Sequence, residues 1–269
     1  MNIVMSLWTK PCTEGKAHGY NTVEAMMESI VVSSNVAKKH YPEIHFYTDK
    51  LGYEWITPYL DQLPFTKIEV CLDDCNWVPD SFWSYVKVYV YSLQKELFIH
   101  VDNDVFLWDK IPSNFIASHD FIFERLENTD DANFKFYDEG LKFFKDAVHS
   151  EFTKYNYAVN CGVFGCLTQR ALDLLPKYIE YGKHLIDGSL NHEKISLELD
   201  DFRISASVIL EQLFIYSLVK DNNLSMGLLL NENAESLLSM KYSHMVAGSK
   251  RQGIVERKIK ERALMKNWD

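Results

Sequence analysis

The chain has 269 residues, enough for one large α/β domain or two small ones, and 47% of them are hydrophobic. Its formal net charge of −10 argues against general binding to nucleic acid, which needs a cationic surface. No apolar run reaches the roughly 18 residues of a membrane-spanning helix, and residues 1–8 lack the basic start of a signal peptide. Without such a signal, the five cysteines are expected to be reduced thiols of a cytoplasmic protein rather than zinc ligands.

Strand and helix patterns alternate through the first hundred residues. Strands are predicted at 2–8, 44–48, 67–72 and 97–101, and helices at 23–39, 53–62 and 81–94. This alternation predicts βαβ units and a mostly parallel sheet. Ligands of such sheets bind beyond the carboxyl ends of the strands.

The second half keeps the same classes of element but is more elaborate. Strands are predicted at 121–124, 157–166, 226–230 and 240–246, and helices at 169–185, 205–220 and 252–266. The polar stretch 125–154 is interpreted as an insertion or a mobile flap rather than core. One domain with an elaborated second half is the prediction.

Two aspartates end the strand predicted at 97–101. Asp102 and Asp104 are separated by one residue, and an apolar run resumes directly after them. Aspartate is depleted in strands, so this pair needs a functional or structural reason. Carboxylates so placed are typical ligands of a hard cation, Mn²⁺ or Mg²⁺, which keeps positions free for phosphate oxygens. We therefore expect a metal–diphosphate site at this edge of the sheet.

Three further polar features follow in chain order. Asn160 and Gly162 interrupt an apolar strand, where glycine often marks a close approach of a ligand or of backbone. Glu211 and Gln212 form a polar pair within an apolar helical run. The last feature is a cluster of His244, Gly248 and Lys250 after a short strand.

In the order of these motifs the chain resembles the GT-A superfamily of nucleotide-sugar glycosyltransferases, and most closely its glycogenin and lipopolysaccharide galactosyltransferase-like group. The resemblance extends over about residues 1–250 and implies a Rossmann-like sheet flanked by helices. It implies a nucleotide-binding half at 1–110, an acceptor-side half at 111–250 and a basic C-terminal helix at 251–269. The implied donor is a nucleotide sugar, most simply a UDP-sugar, and the implied acceptor is a carbohydrate, a glycolipid or another hydroxyl compound.

The resemblance also implies roles for individual residues. Asp102, Asp104 and His244 are the implied metal ligands. Asn160, Glu211 and Gln212 are the implied catalytic, acceptor-side residues. The implied donor-binding residues come from several strand ends and one helix: Ser6, Trp8, Tyr47, Asp49, Lys87, Asp102 and Lys250. Among them, Trp8 or Tyr47 is expected to stack on the base, and Lys87 and Lys250 are expected to contact the diphosphate.

Other interpretations of the same residues remain open. A haloacid-dehalogenase-type phosphohydrolase also carries two aspartates after a strand, but with Thr or Val where this chain has Phe106. A nucleotide-sugar-binding protein without turnover is a third hypothesis. The basic tail at 252–266 is interpreted as a solvated helix, with peripheral association with the inner face of the membrane as the alternative.

Overall fold

A computed structural model describes residues 1–12, 18–144, 155–190, 203–230 and 242–245. Helices and strands alternate along these ranges. The strands are β1 Asn2–Leu7, β2 Ile44–Thr48, β3 Lys67–Val70, β4 Phe98–Val101, β5 Val105–Leu107, β6 Phe121–Asn128, β7 Tyr157–Cys166, β8 Met226–Leu228 and β9 Tyr242–His244. The α-helices are α1 Val23–Lys38, α2 Lys50–Ile56, α3 Ser84–Leu93, α4 Ser113–Ala117, α5 Lys135–Phe143, α6 Gln169–Leu172, α7 Leu175–Leu190, α8 Arg203–Val208 and α9 Phe214–Asp221, with a π-helical segment at Ile209–Leu213 between the last two.

Seven strands form one sheet in the order β3-β2-β1-β4-β7-β6-β8, and β5 and β9 form a separate two-stranded ladder. The pairs β1/β2, β2/β3 and β6/β8 are parallel, whereas β6/β7 is antiparallel. Helices flank the sheet. The predicted α/β class with a mostly parallel central sheet is therefore confirmed.

The predicted elements need correction in a few places. The polar residues at 125–128, predicted as the start of an insertion, continue strand β6, and Lys135–Phe143 is a helix. The prediction followed from the charge of this stretch, whereas Arg125 and Glu127 flank the apolar Leu126 within the strand. The helix predicted at 205–220 contains the π-helical segment. The basic helix predicted at 252–266 lies outside the described residues.

The chain divides into two compact units. The N-terminal unit contains Asn2–Asp73, Val101–Lys110 and the segment with β9, and the central unit contains Asp74–His100 and the chain from Ile111 through β8. The single domain proposed over 1–269 stays a prediction. No helix in the described ranges has both the length and the apolar character that crossing a membrane requires.

Each unit has its own apolar core. In the N-terminal unit, α1 buries Met26, Met27 and Ile30 on one face, and Thr22 caps the start of this helix by accepting a hydrogen bond from Ala25 N. In the central unit, Tyr91 of α3 stacks on Phe164 of β7 with ring centroids 4.1 Å apart. All five cysteines are free thiols.

Asp120 joins three elements of the central unit. Its Oδ2 accepts hydrogen bonds from the backbone N and the hydroxyl of Ser225, each at 2.9 Å, and its Oδ1 accepts one from Thr168 at 2.7 Å. Although burial disfavours the charged form, these hydrogen bonds and the nearby Arg170 lower the pKa of Asp120. Asp120 thus connects the starts of β6, α6 and β8.

Replacing this carboxylate should destabilise the fold. We expect Asp120→Ala to reduce the free energy of unfolding by about 2–3 kcal/mol at neutral pH, because three hydrogen bonds to a buried, charged acceptor are lost. The folded-state pKa lies below the unfolded value, so this stabilisation is present above the unfolded pKa and is lost as the pH falls through the folded pKa. Urea unfolding of both proteins from neutral to acidic pH measures the difference, which should shrink in acid.

Asp138→Ala is the matched control, because it removes a carboxylate whose ion pair with Lys142 is exposed. Its effect should stay below about 0.5 kcal/mol. Equal losses of unfolding free energy in the two variants would contradict the stabilising role of the Asp120 carboxylate. A loss in Asp120→Ala that persists unchanged in acid would contradict it too.

Candidate functional site

The two predicted metal-binding aspartates lie on one tight turn. Strand β4 ends at Val101, and Val105 N donates a hydrogen bond to Asp102 O at 3.0 Å, which closes a four-residue turn from Asp102 to Val105. Asp104 is buried, with 6% of its surface exposed, and Asp102 is half-buried. Strand β5 begins directly after the turn.

His244 is brought to this turn by the β5/β9 ladder. Val105 pairs with His244 in antiparallel register, and Met245 N donates to Asp104 O at 2.9 Å. His244 Nε2 lies 3.6 Å from Asp104 Oδ1. The next pair along the ladder joins Phe106 and Ser243. Trp108 Nε1 strengthens it by donating a hydrogen bond to Ser243 Oγ at 3.0 Å. Residues 140 positions apart in the chain therefore share one small site.

Hydroxyl and amide groups fix the position of the turn. Asn103 Nδ2 donates to Ser6 O at 2.8 Å, and Ser29 Oγ of α1 donates to Asn103 O at 2.9 Å. Tyr20 in turn donates to Ser29 at 2.7 Å, and Ser33 donates to Val105 O at the other end of the turn. Ligands held in this way need little reorganisation before they bind an ion.

The donor set suits a divalent cation. One ligand atom each from Asp102, Asp104 and His244 can be chosen so that all three lie within 4.8 Å of one another. Ligands about 2.1 Å from one ion lie no more than about 4.2 Å apart, so small side-chain rotations would complete the geometry. Two carboxylates and one imidazole leave further coordination positions for other oxygen ligands. The three side chains fit Mn²⁺ or Mg²⁺.

The other predicted donor-binding residues of the N-terminal unit lie near strand ends. Ser6 is the next-to-last residue of β1, and Tyr47 lies in β2. Asp49 caps α2: its carboxylate accepts from Gly52 N at 2.8 Å, from Thr9 N at 2.8 Å and from the Thr9 hydroxyl at 2.7 Å. A structural role for Asp49 is thereby defined, and a role in nucleotide binding stays a prediction.

The predicted base-stacking rings are both buried. Trp8 is 4% exposed and Tyr47 is 3% exposed, so neither ring offers a free face in this conformation. Stacking of either ring on a base stays a prediction. The indole Nε1 of Trp8 is buried and has no hydrogen-bond partner in the described part of the chain.

In the central unit, Lys87 and Glu211 form a buried ion pair. Lys87 Nζ lies 2.6 Å from Glu211 Oε1, and the two side chains are 11% and 2% exposed. Tyr178 donates to the backbone oxygen of Glu211, and Tyr91 lies 3.4 Å from its carboxylate. Sequence analysis assigned Lys87 to a diphosphate and Glu211 to an acceptor. Both assignments stay predictions, but the observed partner of each charge is the other.

The charge of Lys87 also acts on His100 of β4. Burial, and then the nearby Lys87, lower the pKa of His100 well below its usual value, so this imidazole is neutral near pH 7. The His100 ring meets the Tyr91 ring edge-on with centroids 5.0 Å apart. His100 is thus a packed core side chain.

The Asn160–Gly162 motif forms a bulge in β7. Phe123 pairs with Phe164 but Arg125 pairs with Asn160, so β7 has two more residues than β6 across this interval. Gly162 N donates to Asn160 Oδ1 at 3.0 Å, and Lys87 Nζ donates to Cys161 O at 3.3 Å. The glycine predicted as a point of close approach lies within the bulge.

The second polar motif lies in the π-helical segment Ile209–Leu213. This segment buries Glu211 against Lys87, whereas Gln212 is half-buried. A π-helical turn inserts one residue into a helix and is frequent at functional sites. Lys87 therefore links two backbone irregularities, the bulge of β7 and the π-helical segment.

Five polar side chains from four elements converge between these irregularities, and we call them the Glu127 cluster. Its members are Arg125 and Glu127 of β6, Tyr137 of α5, Asn160 of β7 and Gln212 of the π-helical segment. Glu127 Oε1 accepts from Arg125 Nε at 3.0 Å, Arg125 Nη2 at 2.9 Å and Asn160 Nδ2 at 3.0 Å. The Tyr137 hydroxyl lies 2.8 Å from Glu127 Oε2 and 2.5 Å from the Gln212 amide.

Sequence analysis found Asn160 and Gln212 but missed the other three members of the cluster. Arg125 and Glu127 flank Leu126 with the alternation of a strand, and this was the available signal. Tyr137 gave no signal of its own, because a tyrosine in an amphipathic helix is ordinary. Lys250 and Gly248 lie outside the described residues.

Breaking the Lys87–Glu211 pair should be costly. We expect Lys87→Met alone, or Glu211→Leu alone, to reduce the free energy of unfolding by about 3–5 kcal/mol, because each leaves one buried group without its counter-charge. The double variant Lys87→Met/Glu211→Leu should lose much less. Guanidinium unfolding of the four proteins gives the coupling energy; additive losses would show that the two charges do not interact.

Comparisons with known proteins identify one family and distantly similar solved structures. No curated protein sequence matches the chain. Among solved structures, the apo form of mouse xyloside xylosyltransferase 1 is 10% identical with a TM-score of 0.48, over 90% of this chain and 96% of that chain. At that identity and TM-score, no conclusion about this chain rests on the likeness. The model of one protein family matches residues 1–268, and the chain therefore belongs to that family, described as a family of unknown function, DUF6734.

Proposed function

We propose that the chain is a metal-dependent glycosyltransferase of the GT-A type, which transfers a sugar from a nucleotide sugar, most simply a UDP-sugar, to a hydroxyl acceptor. The observation that carries this proposal is the convergence of Asp102, Asp104 and His244 beyond the end of β4. In the sequence, the two aspartates follow an apolar strand, and the resemblance implies His244 as the third ligand. Their proximity supports a shared site for one divalent cation.

The chemistry of sugar transfer explains why such a site is needed. Cleavage of the bond between the anomeric carbon and the diphosphate leaves negative charge on the phosphate oxygens. A bound Mn²⁺ or Mg²⁺ supplies Lewis-acid neutralisation of that charge. Asp102, Asp104 and His244 would hold the ion, and the hydrogen bonds of Asn103 would keep the turn in place.

On the acceptor side we propose a division of roles between adjacent residues. Gln212 and Asn160 are half-buried members of the Glu127 cluster, so their amides are available for hydrogen bonds to a ligand. Glu211 is 2% exposed and paired with Lys87, which suits a positioning role through the π-helical segment. Lys87 is then a positioning residue rather than a diphosphate ligand.

Calorimetric titration of UDP with and without Mn²⁺ tests the metal site. We expect UDP to bind only when Mn²⁺ is present, and Asp104→Asn to weaken that binding by at least about 100-fold, because it removes a charged ligand. Asp109→Asn removes the same charge two residues beyond β5 and serves as the control. UDP binding that needs no metal, or that survives in Asp104→Asn, would refute the site.

A panel of nucleotide sugars separates transfer from binding alone. With Mn²⁺ present, we expect slow release of UDP from at least one UDP-sugar even without acceptor, since water can replace the acceptor hydroxyl. Binding of UDP-sugars without release of UDP from any of them would indicate a nucleotide-sugar-binding protein without turnover. Covalent trapping of Asp102 by beryllofluoride would instead favour a phosphohydrolase.

A further inference from the structure

The Tyr137 hydroxyl has more acceptors than protons. Its oxygen lies 2.8 Å from Glu127 Oε2 and 2.5 Å from the atom placed as Gln212 Oε1. A phenol carries one proton and can donate one hydrogen bond. With two oxygen neighbours, one of the two close contacts would bring together lone pairs without a hydrogen between them. That arrangement is unfavourable in a buried site.

Three changes would relieve this conflict: loss of the Tyr137 proton, a donor on Glu127, or rotation of the Gln212 amide. Tyr137 could lose its proton, but this leaves a phenolate beside a carboxylate, and burial followed by Glu127 raises the pKa of Tyr137 well above its usual value. Glu127 could instead be the donor to Tyr137. However, Glu127 forms an ion pair with Arg125, and its Oε1 accepts hydrogen bonds from both Arg125 and Asn160, so this side chain is the acceptor of the cluster.

The third arrangement is a rotation of the Gln212 amide. Its nitrogen and oxygen occupy nearly equivalent positions, so their assignment follows from the hydrogen-bond partners. With Nε2 facing Tyr137, the tyrosine donates its proton to Glu127 Oε2 and accepts one from Gln212. The Tyr137 hydroxyl, Glu127 Oε2 and Gln212 Nε2 then each face a partner of the opposite kind.

We infer that Tyr137 and Glu127 fix the Gln212 amide with its nitrogen inward and its carbonyl oxygen outward, so that the Glu127 cluster presents a hydrogen-bond acceptor to its ligand. Gln212 is half-buried, and within the described part of the chain its outer amide atom is not a buried atom without a hydrogen-bond partner. The ligand must therefore bring a donor, a hydroxyl or an amine. A ligand group that only accepts, such as a carbonyl or a phosphate oxygen, is disfavoured at this position.

The consequence for substrate class rests on the proposed function. If the chain transfers a sugar, Gln212 binds a hydroxyl-bearing carbohydrate. Tyr137 is a positioning residue, because its side chain is fully buried and acts through the orientation of Gln212. The amide orientation itself holds whether or not the proposed activity is correct.

Exchange of the Gln212 side-chain amide protons with water tests the orientation directly. The chain has five glutamines, so glutamine-selective ¹⁵N labelling of the full chain gives a simple NMR spectrum, in which Gln212→Ala identifies the signal. We expect the Gln212 protons to exchange about tenfold slower in the unmodified protein than in Tyr137→Phe, which is the effect of one hydrogen bond. Phenylalanine keeps the ring and its packing against Phe136.

Tyr178→Phe is the matched control, because it removes a hydroxyl that donates to the backbone of the same π-helical segment at Glu211. It should leave exchange of the Gln212 amide protons unchanged within about twofold if the segment stays folded. Equal exchange in the unmodified protein and Tyr137→Phe would mean that the oxygen faces inward and would overturn the inference. Equal acceleration in both tyrosine variants would overturn it too, since loosening of the segment would then be the cause.

An activity measurement separates this inference from the proposed function. Tyr137→Phe should lower kcat for UDP release at least about tenfold, because Gln212 would also orient the water that replaces the acceptor hydroxyl, while the Kd for UDP with Mn²⁺ stays within about twofold. An unchanged kcat would remove the link between amide orientation and turnover. Absence of UDP binding in the unmodified protein would refute the proposed function, whereas the exchange result would still decide the orientation of Gln212.

Discussion

The short antiparallel ladder of β5 and β9 is the interaction on which the candidate metal site depends. It places His244 beside a turn that already holds Asp102 and Asp104, through the Val105–His244 pair and the hydrogen bond from Met245 to Asp104. Neither strand belongs to the large sheet. The site is therefore assembled by three residue pairs of one ladder, and its geometry is as stable as that ladder.

In the central unit the corresponding constraint is the Lys87 ammonium. It satisfies a carbonyl of the β7 bulge and the carboxylate of Glu211 in the π-helical segment. Irregular backbone leaves carbonyl groups without regular partners, and a buried cation is one way to satisfy them. The two irregularities thus support one another, and between them the half-buried amides of Asn160 and Gln212 join the Glu127 cluster.

The sequence predicted those parts of the molecule that local pattern controls. Alternating strands and helices gave the α/β class, and β2 and β7 were predicted with their observed bounds. The partners of individual side chains were not predictable, because they depend on contacts between distant segments. The resemblance implied a donor-binding role for Lys87 and an acceptor-side role for Glu211, whereas in the fold these residues, 124 positions apart, form an ion pair. Glu127 was missed because its charge was read as a sign of a loop.

The size of the β7 bulge has a consequence for the rest of that strand. Between the Phe123–Phe164 and Arg125–Asn160 pairs, β7 contains two residues more than its partner. Side chains alternate between the faces of a strand with a period of two, so an even insertion leaves every side chain on its original face. Loss of one residue between these pairs would move every side chain on one side of the bulge to the opposite face of the strand. Loss of two residues would keep every side chain on its face and remove only the bulge. The number of residues in this part of β7 can therefore change by two more easily than by one.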